Sequence, residues 1–235
     1  MSSRAPRDTS AFEVAAALRE PGCAVCRTAL RSVERLIRSI AYEQVNDPAL
    51  RARLRHVGGF CNRHAHQWLR EASNVLGTAL IYRDVLRTAL AELESGSTAS
   101  AQRGGLLRSL LGSAAGSSMA DDTCPACQTQ LEAEARYLEA LLDVLNSDEE
   151  GRAALAASSG LCRRHTLAAR RTGTPGAARV LQQTRRTLTD LLSDLDEVIR
   201  KEDYRFRHEP RSEAERTAPS RAIAWAAGFD GLVDA

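Results

Sequence analysis

Apolar residues recur along this chain every three or four positions, the spacing that places them on one face of an α-helix. The first clear example begins near Cys26 and runs to about Gln44, and its apolar face is formed by Leu30, Val33, Ile37, Ile40 and Ala41. The last long example passes through Val180, Leu181, Leu188, Leu191, Leu195 and Ile199. No segment has the strict alternation that is typical of a strand. The pattern therefore predicts an all-α protein.

Helix start and stop signals divide the first half of the chain into several helices. Asp47 is placed to cap a short helix that has Pro48 at its first position. Gly58-Gly59 is typical of the end of that helix, because glycine adopts the left-handed conformation found there. A third helix follows this turn, and a fourth carries the apolar residues between positions 76 and 93.

The same order of signals returns in the second half of the chain. Thr123-Cys124-Pro125 opens a helix, Ser147-Asp148 caps a short one, and Ser159-Gly160 leads into a third. We therefore predict a tandem repeat of two small helical bundles. The predicted division is a leader with a short helix (1–21), a first repeat (22–95), a linker rich in Gly, Ser and Ala (96–121), a second repeat (122–201), and a tail rich in aromatic residues and arginine with a short helix (202–235).

The most specific chemical signal is a set of three cysteines and one histidine that occurs twice. The two sets are Cys23, Cys26, Cys61 and His64, and Cys124, Cys127, Cys162 and His165. Each member of the second set lies 101 positions after its counterpart in the first, and the two sets use all six cysteines of the chain. The sequence therefore contains a doubled unit, and the three cysteines and the histidine keep their spacing in both copies.

The spacing Cys-x-x-Cys followed by Cys-x-x-His is that of a closed tetrahedral Cys₃His site. Both kinds of pair fall at predicted helix starts, where free N–H groups favour thiolate. We therefore predict two structural zinc ions per chain. One alternative is an iron–sulfur centre or another redox-active metal. The other is a set of buried, reduced cysteines that bind no metal. Four arginines flank the ligands and are expected to offset their negative charge: Arg27, Arg63, Arg163 and Arg164.

Spacing alone permits two ways to group the eight ligands. Each site can close within its own repeat, or the repeats can exchange ligand pairs. The first arrangement is simpler, but the sequence does not decide between the two. His56 and His66 have Ala157 and Leu167 at the 101-residue offset, so we do not expect either histidine to be a ligand.

Charge and composition narrow the class of function. The net charge of the 235 residues is +2, from 32 basic and 30 acidic residues, so no global field attracts nucleic acid or anionic lipid. No run approaches the roughly 20 apolar residues that cross a bilayer. The N-terminus lacks the apolar core of a signal peptide. We therefore expect a cytoplasmic protein with reduced thiols and no membrane association.

No enzymatic reaction is indicated. Every cysteine belongs to a ligand set, so none is left as a nucleophile, and no phosphate-binding glycine loop is present. Our first hypothesis is a binding or adaptor module with an unknown protein partner. The second is a redox or metal sensor, and a nucleic-acid-associated regulator is a weaker third. The pattern does not predict an oligomeric state.

The segment Lys201–Pro210 follows the last long helix. In an extended chain, Tyr204 and Phe206 would face one side, and Arg205 and Arg207 the other. These aromatic residues either clamp the tail onto the bundle or form a surface for a partner or for single-stranded nucleic acid. The balanced net charge argues against the nucleic acid.

Several motifs together carry a resemblance to a known family. They are Cys23–Cys26, Gly59-Phe60-Cys61-Asn62-Arg63-His64, the second set through His165, and Asp203-Tyr204-Arg205-Phe206. The chain resembles a family of uncharacterised prokaryotic proteins with a doubled cysteine–histidine unit. The resemblance covers most of the chain and implies the helical fold and the metal, but no reaction. The second copy departs from the family pattern with Leu161 in place of Phe60.

Overall fold

The structure, a computed structural model, describes residues 9–94 and 123–229. Every regular element in these two ranges is a helix, which confirms the all-α prediction. The helices are α1 (Thr9–Ala17), α2 (Ala24–Ser39), α3 (Pro48–Val57), α4 (Asn62–Glu71), α5 (Val75–Glu94), α6 (Pro125–Ser147), α7 (Glu149–Ala157), α8 (Arg163–Thr172), α9 (Pro175–Arg200) and α10 (Glu213–Ala227). The predicted linker at 96–121 lies outside the described residues. No helix in the described ranges is long and apolar enough to cross a membrane.

The predicted caps of the two short helices are confirmed. The Asp47 side chain accepts a hydrogen bond from Leu50 N at 2.7 Å, and Asp148 accepts one from Gly151 N at 3.0 Å. Each cap satisfies an N–H group that the first helical turn leaves without a partner. Gly58 ends α3 in the left-handed conformation, with φ of 77°.

The predicted helix from Cys26 to Gln44 ends in a wider turn than an α-helix has. Residues Ile40–Gln44 form a π-helical turn directly after α2. The Asn74 side chain donates a hydrogen bond to Ala41 O at 2.6 Å and so satisfies a carbonyl in this turn. The helix therefore reaches Gln44 as predicted, because a side chain from outside supports its last turn.

The described residues form two compact units that cut across the predicted repeats. One unit, here the outer unit, comprises residues 9–32 and 130–229. The other, the inner unit, comprises residues 33–94 and 123–129. Each unit takes part of its chain from the first repeat and part from the second, and α2 and α6 contribute to both. A separate bundle for each repeat is therefore not confirmed.

Each unit has its own apolar core. In the outer unit, Leu141 and Leu145 of α6 are fully buried together with Val25 and Val180. In the inner unit, fully buried Trp68 stacks on Phe60 with 5.5 Å between the ring centroids. The indole N–H of Trp68 donates to Thr78 Oγ1 at 2.8 Å, so its polar atom is satisfied inside this core.

The expectation of an extended segment around Tyr204 is wrong. Residues 201–208 form successive turns, in which Phe206 N donates to Asp203 O at 2.9 Å. The Asp203 carboxylate also accepts from Arg205 N at 3.0 Å, a local bond that stabilises a turn over an extended chain. In this turn, the Phe206 ring lies beside the Arg200 guanidinium, with 4.8 Å between the guanidinium carbon and the ring centroid. The Tyr204 side chain is exposed.

The predicted tail helix, α10, is attached to the rest of the outer unit through Lys201. This residue is the only lysine in the chain. Its ammonium lies 2.7 Å from the Glu215 carboxylate and donates to Pro210 O at 3.0 Å. Glu215 also completes a capping box with Ser212 at the start of α10. One buried ion pair therefore anchors both the end of α9 and the start of α10.

Replacing Lys201 with methionine should strongly destabilise the outer unit. Lys201→Met leaves the Glu215 carboxylate buried without its cation, which costs about 3–5 kcal/mol in the free energy of unfolding. Denaturant unfolding measures this loss. The double variant Lys201→Met/Glu215→Gln should recover much of it, because glutamine keeps the capping bond and removes the charge. Equal losses in the single and double variants would contradict the assignment.

Candidate metal centres

All eight predicted ligands lie at the starts of four helices. Cys23 and Cys26 flank the first residues of α2, and Cys124 and Cys127 have the same places on α6. Cys61 is the N-cap of α4, with His64 in the first turn, and Cys162 with His165 repeats this on α8. The prediction that the pairs sit at helix N-termini is confirmed. The free N–H groups and the helix dipole at these positions favour negative charge on sulfur.

The structure groups the eight residues into two clusters, each within one compact unit. Site A consists of Cys23, Cys26, Cys162 and His165, and site B consists of Cys61, His64, Cys124 and Cys127. Within each site the four candidate ligand atoms all lie within 4.8 Å of one another. Each site is a group that could hold a metal ion.

The simpler arrangement, in which each site closes within its own repeat, is not the one in the structure. Site A combines the Cys-x-x-Cys pair of the first repeat with the Cys-x-x-His pair of the second, and site B makes the opposite combination. The spacing is the same for either grouping, so only the packing of the helices decides between them. His56 and His66 belong to neither cluster.

Site A is buried on all sides. Its four side chains are at most 5% exposed. His165 Nδ1 lies 3.4 Å from the sulfurs of Cys23 and Cys26 and 3.3 Å from that of Cys162. The sulfurs of Cys26 and Cys162 are 3.6 Å apart.

Site B has nearly the same geometry but is more open. His64 Nδ1 lies 3.3 Å from Cys61 Sγ, 3.4 Å from Cys127 Sγ and 3.8 Å from Cys124 Sγ. The sulfurs of Cys61 and Cys127 are 3.6 Å apart. His64 and Cys124 are buried, whereas Cys61 and Cys127 are only partly buried.

These distances match the edges of a tetrahedron around one zinc ion. With Zn–S near 2.3 Å and Zn–N near 2.0 Å, a tetrahedral site has sulfur–sulfur edges of about 3.8 Å and sulfur–nitrogen edges of about 3.5 Å. The observed sulfur–sulfur separations are 3.6 Å in both sites. The donor set and its spacing therefore fit a single four-coordinate ion at each site.

The two histidines have opposite electrostatic surroundings. Burial and the nearby Arg63 charge lower the pKa of His64 to about 4. Burial also opposes a charge on His165, but interactions with Cys162, Cys23 and Glu134 outweigh it and raise the pKa of His165 to about 11. His64 therefore offers a neutral imidazole, whereas His165 must give up a proton when a metal binds.

The cysteine protons must also leave before a metal can bind. Hydrogen bonds with Cys162 and Cys23, together with burial, raise the pKa of Cys26. Burial and the charge of Cys124 raise the pKa of Cys127. A divalent ion bound at the centre of each site would supply the positive charge that reverses these shifts.

The Glu134 carboxylate, which the sequence did not predict as part of a site, lies next to His165. Glu134 Oε2 lies 3.4 Å from His165 Nε2, the nitrogen that faces away from the sulfurs. The same carboxylate binds Arg164 at 2.6 Å and accepts from Gln130 Nε2 at 2.7 Å. A carboxylate in this position holds a ligating imidazole in orientation and increases its basicity.

No carboxylate of the described residues has the corresponding place at site B. The residue 101 positions before Glu134 is Val33, which is fully buried in the apolar core of the inner unit. Neither His64 Nε2 nor His165 Nε2 makes a hydrogen bond within these criteria, but His165 Nε2 has the Glu134 carboxylate 3.4 Å away. Because Glu134 has no counterpart in the first copy, comparing the two copies could not have identified it.

The flanking arginines act differently from one another. Arg164 reaches site A through Glu134, and the Arg27 guanidinium lies 3.1 Å from Glu20. Arg163 is exposed. Arg164 is paired with Glu134, and the charge of Arg63 acts on His64, so the offset of the ligand charge by these arginines stays a prediction.

Residues 9–230 match the sequence pattern of a family described as "Family of unknown function (DUF6062)". The chain belongs to this family. The resemblance to an uncharacterised family is thereby confirmed, and the description of the family assigns no activity.

One similar curated protein is an "Uncharacterized 23.9 kDa protein in xynA 3'region" of Caldicellulosiruptor sp. (strain Rt8B.4). It is 40% identical over 70 residues, which are 30% of this chain and 34% of that protein. The match thus spans about a third of the relative. No solved structure matches the chain.

Proposed function

We propose that this family member is a structural zinc protein in which two Cys₃His centres hold a helical scaffold together. The observation that carries the proposal is the tetrahedral spacing of the donor atoms in both sites. Three cysteines and one histidine fill all four positions around zinc, so no position is left for a substrate. The centres therefore support the fold and do not catalyse a reaction.

The same spacing favours a single ion over an iron–sulfur cluster. A cluster places several iron and sulfide atoms between its cysteine ligands and so separates their sulfurs further than a single ion does. Sulfurs 3.6 Å apart, with an imidazole nitrogen 3.3–3.4 Å from them, leave room for one ion. Among single ions, zinc is the usual one in sites of three thiolates and an imidazole.

Metal would tie each helix start to one that is distant in sequence. Site A would join the start of α2 to the start of α8, and site B would join the starts of α4 and α6. Because a preformed site does not exist in the unfolded chain, the free energy of metal binding would add to the free energy of folding. Chelation should then unfold both units.

Counting zinc in paired cysteine variants tests both the metal and the exchanged grouping. Wild-type protein should contain about two zinc ions per chain. Cys26→Ser/Cys162→Ser removes two ligands of the same site and should leave about one. Cys26→Ser/Cys61→Ser damages both sites and should leave about none. Elemental analysis of protein purified anaerobically gives the counts.

The opposite result for these two variants would support sites closed within each repeat. A coloured protein with charge-transfer bands would contradict zinc. Wild-type protein that keeps its helical circular dichroism and its melting temperature after chelation would contradict any structural metal.

The proposed role of the scaffold is to bind a protein partner through α5. Leu86, Leu90 and Leu93 are 66%, 55% and 80% exposed, and their spacing places them on one face of the helix. Beside them is a groove of about 470 Å³, lined in part by Arg83 and Arg87. An apolar stripe next to basic side chains fits an amphipathic helix whose apolar face is bordered by acidic residues.

Acidic substitutions on α5 should abolish partner binding and leave the fold intact. Leu86→Asp/Leu90→Asp places negative charge where the partner's acidic border would lie. Affinity capture from the native host compares this bait with wild type. Leu192→Asp, which changes a leucine 61% exposed on α9, is the matched control and should retain the partner. Partners that bind all three baits equally would place the interface elsewhere.

A metal or redox sensor is the second candidate function, and the openness of site B favours it. Cys61 and Cys127 are only partly buried, and no carboxylate of the described residues supports His64. Access by chelators or oxidants and a less firmly oriented imidazole both favour faster loss of metal. Site A, by contrast, is buried and supported by Glu134.

Removing the Glu134 carboxylate should weaken site A alone. In wild type, we expect zinc in site B to pass to a colorimetric chelator first. Glu134→Gln should lower the affinity of site A about 10–100-fold, the usual effect of losing such a partner, because His165 loses its carboxylate. Site-specific rates follow from variants that retain one site, such as Cys26→Ser/Cys162→Ser.

Glu139→Gln is the matched control, because Glu139 is exposed on the same helix and lies outside both clusters. This variant should release both ions as wild type does. Equal rates for the two wild-type sites would remove the support for a sensor. An unchanged site A in Glu134→Gln would contradict the role of this carboxylate.

A further inference from the structure

Positive and negative charges are unevenly distributed along this chain. Residues 151–189 contain eight arginines and no aspartate or glutamate. Because the whole chain carries a net charge of only +2, the rest of it has a negative net charge. The segment belongs to the outer unit, where it forms most of α7, all of α8 and the first half of α9. This part of the outer unit therefore concentrates positive charge.

Most of these arginines have no anionic partner among the described residues. Arg152 donates to two backbone carbonyls, and Arg164 binds Glu134 at 2.6 Å. The guanidinium groups of the other six are exposed and make no ion pair or hydrogen bond with a described residue: Arg163, Arg170, Arg171, Arg179, Arg185 and Arg186. Elsewhere in the outer unit, an arginine such as Arg221 pairs with a carboxylate, here that of Asp194 at 2.6 Å.

The six arginines lie on the solvent side of two packed helices. The short turn at Gly173, with φ of 66°, joins α8 to α9 and makes them antiparallel neighbours. The arginines occupy positions between the buried residues of these helices, such as Ala169 on α8 and Val180 on α9. Helical periodicity therefore places them on the side away from the core. We call these six residues the arginine face.

A buried contact sets the register of the two helices. Thr166 Oγ1 lies 3.3 Å from Thr184 Oγ1. In an antiparallel pair, this contact places the six arginines at two levels, one with Arg163, Arg185 and Arg186 and the other with Arg170, Arg171 and Arg179. Seven residues separate the two levels on each helix, which is about 10 Å at a rise of about 1.5 Å per residue.

Two groups of arginines at this separation fit the phosphates of a nucleic-acid duplex. A guanidinium group binds phosphate through paired N–H donors. The minor and major grooves of a duplex are about 6 and 12 Å wide, and the two levels of the arginine face are about 10 Å apart. Long, exposed side chains at the two levels can therefore reach phosphates on both sides of one groove.

The same segment lacks the side chains that other anionic surfaces require. Residues 151–189 contain no Phe, Tyr or Trp, so no aromatic ring is present to stack on unpaired bases. Leu167, at 37%, is the one large apolar side chain in this fully described segment that is exposed. A helix that lies on a membrane needs a broad apolar face beside its basic residues. These observations favour a duplex over a single strand or a lipid surface.

We propose that the arginine face binds the phosphate backbone of a double-stranded nucleic acid without reading its sequence. Phosphates are the partners of the guanidinium groups that have no carboxylate. The balanced net charge argues against nucleic acid only for the surface as a whole, because it averages this face with the acidic remainder. The inference goes beyond the structural role of the metal centres and does not use the leucines of α5.

Fluorescence anisotropy of the full-length protein with a labelled DNA duplex of about 20 base pairs tests the proposal. A plot of log affinity against log salt concentration should have a slope of about −4 to −5, as expected when four to six phosphates are neutralised. A second duplex of different sequence should bind equally, because phosphates carry no sequence information. An RNA duplex distinguishes the two sources of phosphate, since weaker binding of one identifies the other as the ligand.

Two double variants locate the surface. Arg170→Gln/Arg171→Gln removes two charges from one level of the arginine face, and Arg185→Gln/Arg186→Gln removes two from the other. Each should reduce the magnitude of the salt slope by about two and weaken binding at low salt by at least about tenfold. All four side chains are exposed, so the helical circular dichroism should not change.

Arg38→Gln/Arg70→Gln is the matched control, because both arginines are exposed, lie in the inner unit and carry the same charge. This variant should bind as wild type does. An equal loss in the control and in the face variants would overturn the proposal, and so would a dissociation constant that does not depend on salt. Protein that sediments with vesicles of anionic phospholipid but binds no duplex would also overturn it and would assign the face to a membrane surface.

Discussion

The contact between a Cys-x-x-Cys pair of one repeat and the Cys-x-x-His pair of the other is the constraint on which the rest of the structure depends. It brings Cys26 to Cys162, 136 positions away, and Cys61 to Cys127, 66 positions away. Closure within a repeat would span only 35 positions. The longer closure of site A is about two doublings of loop length, which costs about 1.2 kcal/mol more in chain entropy. The buried helix faces around the sites offset this modest cost. As a result, neither compact unit can be assembled from a single repeat.

Two sites with the same types of ligand differ in the residues that surround those ligands. A metal ion constrains its four donor atoms closely, but it constrains the next layer of residues only through the orientation of the imidazole. That layer holds Glu134 in site A, whereas Val33 occupies the matching position in the core of the inner unit. The Glu134 carboxylate, the burial of the ligands and the opposite pKa shifts of His64 and His165 therefore distinguish two sites that share the same types of ligand.

The features that sequence predicted best are those that arise within a few residues. The caps at Asp47 and Asp148, the left-handed Gly58 and the helix starts at the cysteine pairs depend on contacts of short range, and each was confirmed. The prediction of an extended segment at Tyr204 was wrong because the Asp203 carboxylate accepts a hydrogen bond from Arg205 N and so favours a turn. The alternation of aromatic and basic residues gives no sign of this local bond. The place of Glu134 beside His165 could not be predicted. The two residues are distant in sequence, and their contact follows no repeat.

Sequence by itself determined that the protein is helical, that it contains a doubled unit, and which eight residues form the candidate metal sites, because helical periodicity and ligand spacing are written in neighbouring positions. Tertiary structure alone decided which ligand pair meets which. Both groupings have identical spacing and identical chemistry, so no local signal separates them. The packing of apolar helix faces separates the two groupings, because Val25 and Leu161 lie in one core whereas Val33 and Phe60 lie in the other. Each core carries one cysteine pair from each repeat into contact, and the exchanged sites follow from that burial.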